Sequence, residues 1–262
     1  VAWMYLPNGF KLYLSPKDQY GPSYHVLNEG KNAFEEYEKS SKEALDAHLP
    51  SKGGVLLDIG ANVGLYSFYF LQKKVDLSVY AFEPNPIGMT CMQNTIKANN
   101  LSSIDLIAKG LSNQKDNSKL YLSNLNQGNH SLRADMIDVN KGVKTVDIET
   151  LRLDDWMAEV KPEKVDALKI DVEGWEFQVL DGARKFLRKY RPSLLIECRK
   201  SLLLESQSVL SVLEEIPEAN YYIRESGVDK SFPMNEARKY IKETLDLGKD
   251  FADYLFFEPQ DK

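Results

Sequence analysis

Three short stretches of this 262-residue chain carry residue types that could do chemistry. The first is Asp58-Ile59-Gly60-Ala61-Asn62-Val63-Gly64, directly after the apolar run Val55-Leu56-Leu57. Gly60 permits a sharp turn, and Gly64 permits close approach of the helix that follows. A pyrophosphate loop has a bare backbone amide, normally a glycine, where Asn62 stands. Here a side chain fills that space and offers an amide, while Asp58 adds a negative charge that repels a pyrophosphate. Asp58 suits a cation and the helix N-terminus suits a carboxylate. S-adenosylmethionine, with its ammonium, sulfonium and carboxylate, meets that description. The second stretch closes the next strand with Glu83, followed by Pro84-Asn85-Pro86. A carboxylate at that tip accepts both hydroxyls of an adenosine ribose, a feature that NAD shares. Asn85 reads either as a helix cap ahead of Pro86 or as a ligand contact.

The third stretch is Leu168-Lys169-Ile170-Asp171-Val172-Glu173-Gly174. Methyl transfer from a sulfonium is an in-line displacement, so the protein chiefly aligns acceptor, methyl and leaving sulfur. A hydroxyl acceptor gains nucleophilicity when its proton is removed, by a side-chain base or by a metal ion. Asp171 ends a strand beside the expected cofactor site and has four readings: base, metal ligand, contact to the methionine end of the donor, or helix cap. Glu173 reads as chemistry or as compensation of a helix dipole. Lys169 shares the strand face of Asp171 by the period of two and reads as a partner for an acid. His130, in the polar stretch NQGNHSLRADM, is a candidate general base because its ordinary pKa lies near neutrality. Glu197 closes a later strand where an acceptor could bind. Tyr37-Glu38 suit a lid or a helix surface, and His25 and His48 carry no functional assignment. The basic run 183–191 reads as cations near a helix C-terminus.

The elements that must hold these residues follow from the alternation of apolar runs with helical patterns after Val55. Strands are expected at 55–59, 77–83, 103–108, 165–171 and 193–199, with helices at 65–74, 86–100, 176–190 and 201–216. That order implies a mainly parallel, doubly wound sheet with helices on both faces. Residues 111–150 break the rhythm and read as an inserted hairpin or extra strands. The tail, with NYYIRES and DYLFFEP, closes the sheet. Residues 1–50 read as a cap, a hairpin near FKLYLSP and one helix over 33–49, belonging to the same unit as the 51–262 domain.

The net charge of −6 disfavours a non-specific grip on nucleic acid. No apolar run approaches a membrane span. The opening VAWMYLPNGF has no initiator Met, as a trimmed, processed or excised chain would show, and no basic n-region of a signal peptide. Cys91 and Cys198 make neither a disulfide framework nor a metal cluster, so buried thiols in a reducing, cytoplasmic setting are expected.

LLDIGANVGLYS, YAFEPNP and LKIDVEGWEFQVLDGA together resemble the FkbM family of S-adenosylmethionine-dependent methyltransferases. SLLIECR and DYLFFEP fit its later strands, so the resemblance runs from Phe34 to Pro259. It implies a class I methyltransferase fold: a Rossmann-like, seven-stranded, mostly parallel sheet with one antiparallel strand. It also implies cofactor residues Asp58, Gly60, Asn62 and Gly64, with Ala61 inside the same turn, and Glu83 from the next motif. The expected reaction is O-methylation of a small molecule or glycan, a sugar above all, with Mg²⁺ as a candidate but unsupported helper. The oligomeric state stays open. Methyltransferases that act on nucleic-acid amino groups place an Asn/Asp-Pro-Pro-aromatic motif where this chain has DVEG. The competing readings are an NAD-dependent oxidoreductase and a methyltransferase-like binding domain without catalysis.

Overall fold

The computed structural model describes residues 1–30, 32–137, 143–204, 206–244 and 251–258. It opens on an antiparallel hairpin of β1 (Ala2–Tyr5) and β2 (Lys11–Leu14), then three short helices, α1 (Pro22–Glu29), α2 (Ala33–Glu36) and α3 (Lys39–Asp46). The alternating part begins with β3 (Val55–Ile59), α4 (Leu65–Lys73), β4 (Ser78–Phe82), α5 (Pro86–Ala98) and β5 (Ile104–Ile107). An insert follows, β6 (Gly110–Leu111), β7 (Asp116–Leu122) and β8 (Lys144–Leu151), leading into α6 (Leu153–Val160) and β9 (Ala167–Ile170). After α7 (Glu176–Asp181) and α8 (Arg184–Tyr190) come β10 (Ser193–Arg199), α9 (Lys200–Leu203) and α10 (Val209–Glu214). The chain closes with β11 (Tyr222–Glu225), β12 (Phe232–Pro233), α11 (Met234–Thr244) and β13 (Phe251–Phe257).

The large sheet runs β5-β4-β3-β9-β10-β13-β11-β12. The strands from β5 to β10 are parallel to their neighbours, and β13 is antiparallel to both β10 and β11. Seven strands match the expected sheet, and the two-residue β12 adds an eighth at the edge. The chain winds outward from β3 to β5 and then returns to β9, so the order reverses between β3 and β9. Open α/β sheets bind ligands at such a point. Register there sets Asp58 opposite Lys169 and Ile59 opposite Ile170. Because side chains alternate across a strand, Leu56 joins the core on one face and Leu57 the core on the other. Phe10, Leu12, Phe34 and Leu45 of the N-terminal segment share the first of these cores. β2 is also tied to α5, where Asn99 and Thr95 accept the Lys11 and Tyr13 amides.

Several expected elements take a different form. The helix expected over 33–49 is two helices, because Glu38 adopts φ 47 between them, which turns Tyr37 and Glu38 inward. The helix expected over 176–190 breaks at Gly182, whose α carbon lies so close to Ser112 that a Cβ would meet its carbonyl oxygen at 2.1 Å. In the 201–216 stretch, Ser208 starts a new helix with a reciprocal capping box to Ser211; Glu205 lies outside the described residues. The insert is a three-stranded sheet in which β7 and β8 form the hairpin and β6 adds in parallel. Residues 138–142 of the insert and Pro259 of the tail lie outside the described residues. Helices α1, α6 and α11 were not anticipated.

Candidate active site

The turn after β3 uses left-handed backbone at every second residue: Gly60 at φ 74, Asn62 at φ 52 and Gly64 at φ 84. Any side chain at Gly60 would strike the Asp171 carbonyl oxygen, 1.9 Å from the Cβ position. Four of the turn's amides are spent internally. Gly60 and Ala61 donate to the Phe82 carbonyl, Gly64 donates to Ala61, and Asn62 donates to Glu83 at 2.6 Å. None of these four N–H groups is left to cradle a pyrophosphate. The Asn62 side-chain amide reaches across to the Gln127 carbonyl at 2.8 Å and ties the turn to the insert.

Asp58 is not the mouth-lining anion expected. It is fully buried beneath the turn, where its Oδ2 accepts the Ser67 amide and hydroxyl at the start of α4. The cation it meets is the chain's own: Lys169 Nζ stands 4.0 Å from Oδ1. Register across the β3–β9 pair explains this, since the two residues are opposite and share a face. Asn85 likewise turns from ligand to cap, its Oδ1 accepting the Ile87 amide at the start of α5.

Glu83 lies on the wall of a cavity of about 280 Å³. Its two oxygens accept the Asn62 and Asn85 amides at 2.6 Å each. Each retains a further lone pair. Burial pushes its carboxyl up to about 7, against the two amide hydrogen bonds that favour the ionised form. Pro84, Leu111, Leu120 and Leu132 add apolar lining to the cavity.

The same cavity is lined by a cluster of acids. One oxygen from each of Asp171, Glu173 and Glu197 lies within 4.8 Å of the others. Lys169 donates to Asp171 Oδ2 at 3.0 Å and to the Gly60 carbonyl at 3.2 Å, pinning the acidic segment to the glycine turn. Burial lowers the Lys169 pKa, but Asp171 and Asp58 outweigh it and hold the ammonium above its ordinary value. Glu173 is raised by burial first, then by Asp171 and Glu176. The amides that open the loop to α7, those of Val172 and Gly174, go to Glu176 and not to Glu173. Asp171, Glu173 and Glu197 could together hold a metal ion, with Lys169 competing for Asp171, and nothing found supports Mg²⁺ as that ion.

A cover made from two distant segments closes over the turn. Asp18, buried, accepts the Gly21 and Ser23 amides and the Gln127 amide, each at 2.9 Å, so the N-terminal segment and the insert share one anchor. His130 sits in this cover, and the geometry removes it as a base. Its Nδ1 accepts the Ser123 amide at 3.0 Å, so the neutral ring carries its proton on Nε2. Burial also pushes the ring down to about 4. Asp18 was missed in the sequence, although Asp-x-x-Gly-Pro is a turn pattern in which the carboxylate caps nearby amides. Lys42 was missed too: wholly buried, it donates to the Phe34 carbonyl at 2.7 Å among the rings of Phe34, Tyr37, Tyr66 and Tyr69.

The strand order, the antiparallel β13 and a glycine turn at the switch point define a methyltransferase of the class I α/β type. A sequence model of the FkbM methyltransferase domain matches residues 58–225, and the chain belongs to that family. The methyltransferase sdnD of Sordaria araneosa is 31% identical over 61% of this chain and 72% of its own length. The 2-O-methyltransferase NoeI of Sinorhizobium fredii is 28% identical over 62% of this chain and 71% of its own. Among solved structures, the FkbM methyltransferase of Methylobacillus flagellatus superimposes with a TM-score of 0.51 at 17% identity. It covers 90% of this chain, which spans 53% of that one. No helix among the described residues is long and apolar enough to cross a membrane.

Proposed function

We propose that this domain transfers a methyl group from S-adenosylmethionine to a hydroxyl oxygen of a small molecule or glycan, with Asp171 taking the hydroxyl proton. The observation that carries the cofactor reading is the turn itself: the Gly60, Ala61, Asn62 and Gly64 amides are all engaged, and the Glu83 carboxylate lines the cavity beside them. That arrangement suits a ribose and leaves those four amides unavailable to the pyrophosphate of NAD. S-adenosylmethionine, when bound, supplies an electrophilic methyl on a sulfonium sulfur. Glu83 would accept the ribose hydroxyls, and the leucines around Leu111 would cover the purine. In the acidic cluster, Asp171 would accept the acceptor's proton as its oxygen becomes the nucleophile, and Lys169 holds that carboxylate in place.

The cavity that holds these carboxylates is also lined by Tyr20, Tyr37 and Trp175. Hydroxyl donors fit this combination, and a polyanionic nucleic acid does not. A relative that is a 2-O-methyltransferase supports oxygen as the acceptor atom. Calorimetric titration should give saturable binding of S-adenosylmethionine; tighter binding of NAD would sink the cofactor reading. A screen of sugars and hydroxylated small molecules with labelled donor should then place the label on oxygen. In Asp171→Asn, donor affinity should stay near that of the parent while turnover falls by roughly a hundred- to ten-thousand-fold. Full turnover in that variant would remove Asp171 as the base.

A further inference from the structure

Two side chains of the cover each keep a polar atom that the fold does not use. Gln127 and His130 both line the cavity, and Gln127 Oε1 and His130 Nε2 are buried with no hydrogen-bond partner among the described residues. Gln127 is only 7% exposed, so bulk water does not serve it. Native folds keep few such atoms, because an unpaired buried polar group costs free energy. Ser123 fixes what each atom can do. Gln127 Nε2 donates to the Ser123 carbonyl at 3.4 Å, which leaves the amide oxygen of Gln127 unused, an acceptor. His130 Nδ1 accepts the Ser123 amide at 3.0 Å, which leaves the ring proton on Nε2, a donor. One loop therefore offers one acceptor and one donor. The Tyr121–Ser131 bridge closes that loop, and the next residue on each side, Leu120 and Leu132, lines the cavity. Within the loop, the Gln127 carbonyl accepts the Asn62 side-chain amide, and the Asn62 backbone amide donates to Glu83. Asn62 thus joins the loop to the carboxylate assigned to the ribose.

We propose that Gln127 and His130 select the adenine of the donor: Gln127 Oε1 accepts from its exocyclic amine, and His130 Nε2 donates to a neighbouring ring nitrogen. Adenine presents an amine donor beside a ring acceptor, which is the complement of this pair. Leu120 and Leu132 supply apolar cover for the base. A purine with an oxo group in place of the amine sets an acceptor against the Gln127 oxygen. Flipping the Gln127 amide would relieve that contact only by giving up the Ser123 carbonyl. The inference rests on S-adenosylmethionine being the donor, and its test needs no methyl acceptor. The methionine end of the donor, with an ammonium and a carboxylate, also matches one acceptor and one donor, so the probes must separate the two ends.

The test is calorimetric titration of the full chain with three ligands. These are S-adenosylhomocysteine, methylthioadenosine, which lacks the amino-acid end, and S-inosylhomocysteine, which carries the oxo group. The parent should bind the inosyl compound roughly 10- to 100-fold more weakly than its adenosyl counterpart, the range for a buried acceptor left unpaired. Gln127→Met should weaken both adenosyl ligands and narrow that gap, a change in selectivity that a merely structural role would not produce. His130→Phe should weaken S-adenosylhomocysteine and methylthioadenosine alike. A gap that Gln127→Met leaves unchanged overturns the proposal. So do variants that weaken S-adenosylhomocysteine but spare methylthioadenosine, because they move the pair to the methionine end. Should either variant fail to fold, the parent decides: equal affinity for the adenosyl and inosyl ligands overturns the assignment. A parent that binds none of the three rejects the donor itself and the proposal with it, whereas binding without selectivity rejects the proposal alone.

Discussion

Glu83 shows how one side chain can serve the fold and the ligand together. Its oxygens accept two backbone amides that come from different loops, and its carboxyl is held up to about 7 by burial. Hydroxyl groups of a ribose donate best to the ionised form. Affinity for S-adenosylmethionine should therefore weaken as pH falls from 8 to 6, through the Glu83 titration, and calorimetry in buffers of different ionisation enthalpy should detect proton release on binding. Glu83→Ala should lose about 1.5–3 kcal/mol of donor affinity, the usual size for hydrogen bonds to a charged group. It should also lower the melting temperature, because the Asn62 and Asn85 amides lose their acceptor. An unchanged dissociation constant would make Glu83 purely structural.

At the scale of elements, the site depends on helix α5 approaching the glycine turn closely. The contact point is Gly88, where a Cβ would lie 2.6 Å from the Asn62 carbonyl oxygen and 3.0 Å from Glu83 Cγ. Helix propensity alone favours Gly88→Ala by about 1 kcal/mol. The backbone oxygen cannot yield as a flexible side chain would, so the clash should win. Gly88→Ala is expected to be less stable than the parent in denaturant unfolding and to bind S-adenosylmethionine more weakly. A more stable variant would show that α5 can shift without disturbing the turn. The α2–α3 break has a comparable task, since it delivers Tyr37 and Glu38 to the wall while Lys42 fills the space behind them. Burial lowers the Lys42 ammonium to about 8.

Over the whole molecule, acids gathered around the cavity set the response to pH. Glu83, Glu176 and Asp253 are each raised to about 7, with burial the first cause in each case. Their unfolded values lie near 4, so between these limits the folded chain binds more protons than the unfolded one. Stability from these groups is complete below about pH 4 and is lost as pH rises through 7. His130 and His48, lowered by burial, act in the opposite sense until their unfolded forms lose the last of their protons above about 6.5, but these two histidines are outweighed by the three acids. The melting temperature should therefore fall from pH 6.5 to 8 in the absence of ligand. A rise over that interval, followed by differential scanning calorimetry, would show that these acids are ionised in the folded state.

The parallel sheet, the glycine turn and the acidic tip of the second strand were readable in the sequence because each rests on neighbours in the chain. Val55–Ile59 is followed by Gly60, Asn62 and Gly64 at alternate positions, and that local pattern is enough for a strand, a left-handed turn and a helix start. The roles of individual acids and bases were not readable, because burial and charge are set by what the fold brings alongside. Asp58 and Lys169 are paired only by the β3–β9 register, and Glu197 meets Asp253 only by the β10–β13 register. His130 ceased to be a base because a loop folds back and offers it the Ser123 amide. Asp18 and Gln127 share one anchor across two segments far apart in sequence. Periodicity and turn chemistry act over a few residues, whereas desolvation and ion pairing act through space, and only the tertiary structure decides those distances.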